Sequence, residues 1–229
     1  MIKAGIDTDA LVKMFSEASA KQGEALRKAV SDATLKALQG RELTLANIRT
    51  VLKTVTQAAS AGAAQNALPS VDVEDLLDKA FAGMDAALLQ AVEANRKALQ
   101  QFVDQGVDLQ EGRLKAAMAD LEKMEDVFFS TVSKAAQTAG APLQGPWSQV
   151  LEQMKLKGTD TGAQAATTID QLMAQAQSAL RDSRALGVRT AQALMDSYSA
   201  VVSGVLIGMS EGLQGGAAAA PATARARKK

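Results

Sequence analysis

Apolar side chains recur every three or four positions over most of this chain, which is the spacing of one face of an α-helix. Clusters of glycine and proline separate these stretches and are typical of helix ends. No stretch alternates apolar and polar residues as a half-buried strand does. We therefore predict an all-α protein in which residues 1–213 form a single elongated antiparallel bundle of long amphipathic or coiled-coil helices.

The periodic stretches predict five helices. We place them at residues 9–39, 44–66, 72–139, 146–155 and 160–213. Asp9 is a suitable N-cap for the first helix, and Gly40 is a suitable stop signal. The connection to the second helix is so short that the two are expected to form an antiparallel hairpin.

The third predicted helix is unusually long. If it ran unbroken it would extend on the order of 100 Å at 1.5 Å per residue. Its apolar seam continues on both sides of Gln105-Gly106-Val107-Asp108, and we expect a bend near Gly106. The pattern leaves open whether the two halves fold back on each other.

A few polar and aromatic residues stand out within the apolar seams. Gln22 and Asn95 are expected to set the register of the helices that carry them. Tyr198 is expected to lie in the core. Trp147, the single tryptophan, fits either a core position or an interface.

The last predicted helix carries a stripe of small residues near its end. Its members are Ala200, Gly204, Gly208 and Gly212 at intervals of four, flanked by the apolar Val201 and Val205. Glycine inside a helix costs about 1 kcal/mol relative to alanine, so this small-residue stripe predicts the close approach of another surface. Two explanations remain open, namely packing inside the bundle and contact with a hydrophobic phase or partner.

The amino-acid composition limits the catalytic and metal-binding groups that this chain can offer. The chain has no cysteine and no histidine, which excludes disulfides, thiol catalysis and thiolate metal sites and removes the usual general base. Carboxylates cluster at residues 72–78 and 122–126, but a di-iron bundle would need histidine beside them. Solvated helix surface explains these clusters. We expect no enzyme activity and no catalytic, cofactor or metal site.

The chain has 25 basic and 25 acidic side chains, so its net charge is zero, but its last residues are basic. Arg225, Arg227, Lys228 and Lys229 occur there without an acidic residue. The low-complexity segment 214–229 has little to bury and is expected to be disordered. Four charges would bind nucleic acid only weakly. Two roles for this tail remain open, a solubilising tail and an auxiliary anchor to an anionic polymer or surface.

The sequence favours a cytoplasmic address. The amino terminus lacks the apolar core of a secretory signal. No apolar stretch reaches the roughly 20 residues that a membrane-spanning helix needs. We therefore expect no transmembrane span.

A cysteine-free chain of long alanine-rich amphipathic helices that ends in AAAAPATARARKK resembles the phasins, which coat polyhydroxyalkanoate granules in bacteria. The resemblance covers most of the chain and rests on composition, helix pattern and tail. The glycine-rich final helix and the N-terminal hairpin depart from it. The resemblance implies a non-enzymatic, granule-associated surface protein that forms a homo-oligomer.

Two other functions are compatible with the same residues. One is a cytoplasmic coiled-coil scaffold or adaptor that binds a helical protein partner. The other is a membrane-active helical protein that inserts residues 200–212 after a conformational change. In all three cases the chain works by offering apolar helix faces to another surface.

Overall fold

The computed structural model describes residues 6–18, 22–39, 43–66, 71–104, 112–182 and 198–215. Within these ranges the regular structure is entirely helical, so the all-α prediction is confirmed. The helices are α1 (Thr8–Glu17), α2 (Gly23–Leu38), α3 (Leu45–Ala64), α4 (Val73–Asp104), α5 (Gly112–Glu122), α6 (Met124–Gln137), α7 (Ala141–Lys157), α8 (Asp160–Asp182) and α9 (Tyr198–Gly215).

Helix α4 is the centre of the fold. Helices α2, α3, α7, α8 and α9 all pack against it, and α1 packs against α3. Buried residues cover more than half of the circumference of α4, and Gly83 and Val92, for example, are both buried although they lie on opposite sides of the helix. A helix that is apolar on several faces belongs in the interior. The other helices therefore surround α4 in a globular arrangement.

The single predicted helix at residues 9–39 is wrong. Helix α1 ends at Glu17, Ala18 has extended backbone, and α2 begins at Gly23. The side-chain amide of Asn66 donates hydrogen bonds to the carbonyl oxygens of Phe15 at 2.9 Å and Ala18 at 3.0 Å. These bonds satisfy carbonyls that a helix end leaves unpaired, so a residue distant in sequence stabilises the break.

The break also changes which face of α2 is buried. The spacing of apolar residues in the predicted helix 9–39 favours a buried seam through Leu26, Ala29, Ala33 and Ala37. Leu26 and Ala37 are buried, but Ala29 and Ala33 are only half-buried. The buried positions instead follow Leu26, Val30 and Thr34 at intervals of four. Because α2 begins separately at Gly23, it is rotated about its axis relative to one continuous helix over residues 9–39.

The second predicted helix is confirmed. Helix α3 lies within residues 44–66, and the hydroxyl of Thr44 accepts a hydrogen bond from the backbone N–H of Asn47 at 3.3 Å. This is the usual N-cap arrangement. Helix α3 packs against both α1 and α2.

The long third predicted helix consists of α4, α5 and α6. The rings of Phe81 in α4 and Phe128 in α6 stack with their centres 4.5 Å apart. In one straight helix these residues would lie roughly 70 Å apart. The chain therefore folds back between α4 and α6. The predicted bend near Gly106 lies outside the described residues.

Helix α7 is longer than the predicted helix at residues 146–155. Pro142 occupies its first turn, where the missing N–H costs nothing, and Pro146 lies inside it. Trp147 is 1% exposed, and its indole N–H donates to the hydroxyl of Ser60 in α3 at 3.0 Å. Trp147 is thus a core residue that fixes α7 on α3.

The last predicted helix, residues 160–213, is not one straight helix. Thr161 at the start of α8 contacts Asp85, and Tyr198 at the start of α9 contacts Asn95. Asp85 and Asn95 lie roughly 15 Å apart along α4, whereas Thr161 and Tyr198 would lie roughly 55 Å apart in a straight helix. Helix α9 continues to Gly215, and residues 216–229 of the predicted disordered tail lie outside the described residues.

Candidate functional site on the C-terminal helix

Helix α9 packs one of its faces against α4. Val202 and Leu206 are 1% and 0% exposed, and they form the centre of this inner face. At its start the Tyr198 ring lies 5.7 Å from the Phe102 ring, measured between centres. Helix α9 is therefore anchored to α4 by apolar contacts and by aromatic packing.

The hydroxyl of Tyr198 makes a polar contact in this interface. It donates to the side-chain oxygen of Asn95, which is 3% exposed on α4. Burial, with a smaller contribution from the charge of Asp120, raises the pKa of Tyr198 well above its usual value near 10. Asn95, the polar residue that the sequence placed in an apolar seam, thus positions the start of α9.

The outer face of α9 is uncovered in the described residues. Ala200 and Gly204 are exposed, and a Cβ atom added at Gly204 would meet nothing within 4 Å. Ile207 is 37% exposed, and Val201 and Val205 are half-buried. Packing inside the bundle therefore does not explain Ala200 and Gly204, the part of the small-residue stripe whose surroundings are described.

The other predicted interaction residues are placed less fully. Gly208 and Gly212 belong to α9, but their surroundings lie outside the described residues. The basic residues of the tail lie wholly outside the description, namely Arg225, Arg227, Lys228 and Lys229. In the part of the chain that is described, no helix is both long enough and apolar enough to cross a bilayer.

A second polar cluster, which sequence reasoning missed, lies at the start of α8. Asp85 of α4 accepts hydrogen bonds from the backbone N–H groups of Asp160 at 3.0 Å and Thr161 at 3.1 Å. Glu125 of α6 accepts from the backbone N–H of Thr159 at 3.1 Å and from its hydroxyl at 2.7 Å. We call this arrangement the carboxylate cap. It satisfies N–H groups that a helix start leaves unpaired.

The carboxylate cap has a structural role. Asp85 is 9% exposed, and burial raises its pKa although the hydrogen bonds from Thr161 and Asp160 oppose that shift. A Cβ added at Gly162 would overlap the carboxylate of the half-buried Glu125, so this glycine lets α8 approach Glu125 closely. Among the described residues no group of three or more acidic side chains is placed to hold a metal ion.

Comparison with known proteins places the chain in one family. Residues 1–215 match a family described only as a family of unknown function, DUF6781, and this range includes every helix from α1 to α9. Comparisons with curated proteins and with solved structures gave no match. Because the match spans far more than half of its length, the chain belongs to the family of unknown function DUF6781.

Proposed function

We propose that this chain is a non-enzymatic helical protein that self-associates through the outer face of α9. The observation that carries the proposal is the one-sided burial of this helix. Val202 and Leu206 are buried against α4, whereas Gly204 faces open space. Glycine costs about 1 kcal/mol inside a helix, and no contact within the described residues offsets that cost at Gly204.

A second copy of the chain fits the small-residue stripe. Small residues at intervals of four allow two helix backbones to approach closely. A two-fold axis brings the same stripe of both copies together, and such symmetric contacts are the commonest kind in homo-oligomers. In this proposal the chain acts as a scaffold of the coiled-coil type, with α9 as its contact helix.

The phasin-like function is the second candidate, and the composition of α9 favours it. Residues 198–210 contain no charged side chain, so a detached α9 would offer apolar surface on several sides to a polyhydroxyalkanoate granule. Each Å² of apolar surface buried there contributes about 25 cal/mol.

While α9 is packed against α4, the protein exposes less apolar surface to such a granule. The exposed large apolar side chains in the described residues are Met14, Leu156 and Ile207, on three different helices. Scattered residues of this kind do not form a continuous apolar patch. This is why we place self-association before granule coating.

Gly204→Leu distinguishes the two candidates. Gly204 is exposed and nothing lies within 4 Å of an added Cβ, so leucine is expected to extend into solvent in the monomer. It separates two helices that meet at this stripe. The matched control is Ala166→Leu, at an exposed position of α8. Sedimentation velocity over a range of concentrations measures self-association, and flotation with polyhydroxyalkanoate granules measures coating.

Self-association through α9 requires that the wild-type chain and Ala166→Leu associate and that Gly204→Leu binds itself at least about tenfold more weakly, a loss of about 1.4 kcal/mol. Granule coating instead predicts that Gly204→Leu floats as well as the wild type or better, because leucine adds apolar area. Leakage of liposomes would indicate the membrane-active alternative. A chain that stays monomeric and does not float contradicts both proposals.

A further inference from the structure

A cleft of about 330 Å³ between α3 and α6 has a strongly basic rim. Arg49 and Lys53 line it from α3, and Lys134 lines it from α6. No acidic side chain is among the lining residues. In the described ranges none of the three cations forms a salt bridge. Asp120 interacts with Arg49 from outside the cleft.

Helix stability alone does not explain this cluster. Lys134 lies in the last turn of α6, where a positive charge is favourable for the helix dipole. Arg49 and Lys53 lie in the first half of α3 and have no such reason. They are also four residues apart on one helix, a spacing at which like charges repel. A bound anion would remove the repulsion between these two cations and Lys134.

The floor of the cleft contains the hydroxyl group of a threonine. Thr131 is 9% exposed and lines the cleft, and within the described residues its hydroxyl has no hydrogen-bond partner. The neighbouring hydroxyls of Thr50 and Ser130 already donate to carbonyl oxygens of their own helices. The hydroxyl is open to the cleft, because the enclosed side-chain atoms without a partner in the described residues are those of Gln90 and Thr168. Thr131 can therefore donate to a ligand in the cleft. Ala135 beside it makes part of the floor apolar.

We propose that this cleft binds a small soluble phosphate monoester that carries an apolar group. The phosphate lies between Arg49, Lys53 and Lys134 and accepts a hydrogen bond from Thr131, and the apolar group lies on the floor. Two negative charges on one compact group suit three convergent cations better than a single carboxylate does. The volume is at the lower end of the range for small-molecule sites.

Phenyl phosphate is the probe for this site. Calorimetric titration of the full chain at constant ionic strength and at a pH where the ester is dianionic measures its affinity. The test variant is Lys53→Gln with Lys134→Gln. The control is Lys28→Gln with Lys36→Gln, which removes two exposed lysines of α2, one mid-helix and one in the last turn. Far-UV circular dichroism verifies that each variant is folded.

We expect one saturable site that the test variant weakens at least about tenfold, because hydrogen bonds to charged groups are among the stronger ones. The control is expected to keep the wild-type affinity. Thr131→Val, which keeps the shape of the side chain, is expected to weaken binding several-fold. Phenol is expected not to bind, and inorganic phosphate is expected to bind more weakly than phenyl phosphate.

Three results would overturn the proposal. The first is no saturable binding of phenyl phosphate up to about 10 mM. The second is equal affinity in the test variant or an equal loss in the control. The third is binding to vesicles of phosphatidic acid in phosphatidylcholine without binding of the soluble ester, because this would identify a membrane surface as the ligand.

Discussion

The crossing of α1 and α3 and the outer face of α9 both carry glycine inside an apolar helix, and they differ in what lies against it. At the crossing, a Cβ added at Gly62 would overlap the Cβ of Phe15 and would come 2.5 Å from the carbonyl oxygen of Val12. On α9, a Cβ added at Gly204 would meet nothing within 4 Å. The first glycine lets two helices of the same chain touch, and the second has no neighbour among the described residues.

Small residues at helical spacing therefore predict a close contact, but they do not identify the molecule that makes it. In α3, Gly62 follows Val55 and Ala59 at spacings of four and three, and Gly204 lies in the small-residue stripe. The cost of glycine in a helix is similar at both positions. At Gly62 the neighbouring helix offsets it. At Gly204 we assign that role to a second copy of the chain.

The largest effect is expected for Gly62→Ala. The added methyl group meets the backbone of α1, which cannot move without disturbing the hydrogen bonds from Asn66. We expect a loss of about 3 kcal/mol in the free energy of unfolding, measured with denaturant. Gly145→Ala, in open space on α7, is the control and should not destabilise. Equal stability of the two variants would contradict a tight crossing.

Asp85→Ala tests how the polar docking of α8 on α4 compares with the apolar docking of α9. It leaves the N–H groups of Asp160 and Thr161 without their acceptor. We expect a loss of about 2 kcal/mol in unfolding free energy at pH 7. Asp85→Asn, which keeps one acceptor oxygen, should lose about half as much. A loss no larger than that of an exposed substitution would show that water replaces the cap.

The contribution of Asp85 to the free energy of unfolding changes with pH in one direction. Burial raises its pKa from the ordinary 3.8, so the native state holds this proton more tightly than the unfolded state. The contribution of Asp85 to stability therefore falls as pH rises from about 3.8 through the raised pKa. Unfolding measured across that range should show this slope in the wild type, and Asp85→Asn should remove it.

Tyr198→Phe tests the anchor of α9 directly. It leaves the buried side-chain oxygen of Asn95 without its hydrogen bond, and we expect a loss of about 1 kcal/mol. Because the chain has one tyrosine, ultraviolet titration of the native protein reads its pKa without ambiguity. The midpoint is expected well above 10. An ordinary midpoint would mean that the hydroxyl is in water and that α9 is not docked at this point.

The smallest effect, and the opposite sign, is expected for Gly204→Ala. Alanine restricts the unfolded chain and favours the helix, and its methyl group meets no neighbour among the described residues. We expect the monomer to gain about 0.5–1 kcal/mol of stability. The measurement is thermal unfolding at a low protein concentration. Destabilisation of the monomer would mean that the outer face of α9 is already covered.

Local signals predicted part of the fold. Thr44 marked the start of α3, because capping residues act on the next few positions of the chain. The break after α1 was missed, since Asn66, which stabilises it, lies about fifty residues away. The same holds for the contact of Asp85 with the start of α8. Neither partner of such a pair is unusual in its own sequence context.

The candidate site was also predictable only in part. The spacing of Ala200 and Gly204 identified the small-residue stripe, but periodicity does not say which face of α9 contacts α4. The basic cleft was missed because its residues come from two helices. One local signal was present, since Arg49 and Lys53 repeat the same charge at a spacing of four. In the sequence of α2 the same spacing instead joins opposite charges, at Glu24 and Lys28 and at Asp32 and Lys36.

The hydrogen bond from the indole of Trp147 to Ser60 has a practical consequence. The chain has one tryptophan, and it is enclosed where α7 meets α3, whereas the one tyrosine lies on α9. The two chromophores therefore observe separate parts of the molecule without any label. If α9 leaves α4 while the remaining helices stay folded, tyrosine absorbance changes and tryptophan emission does not.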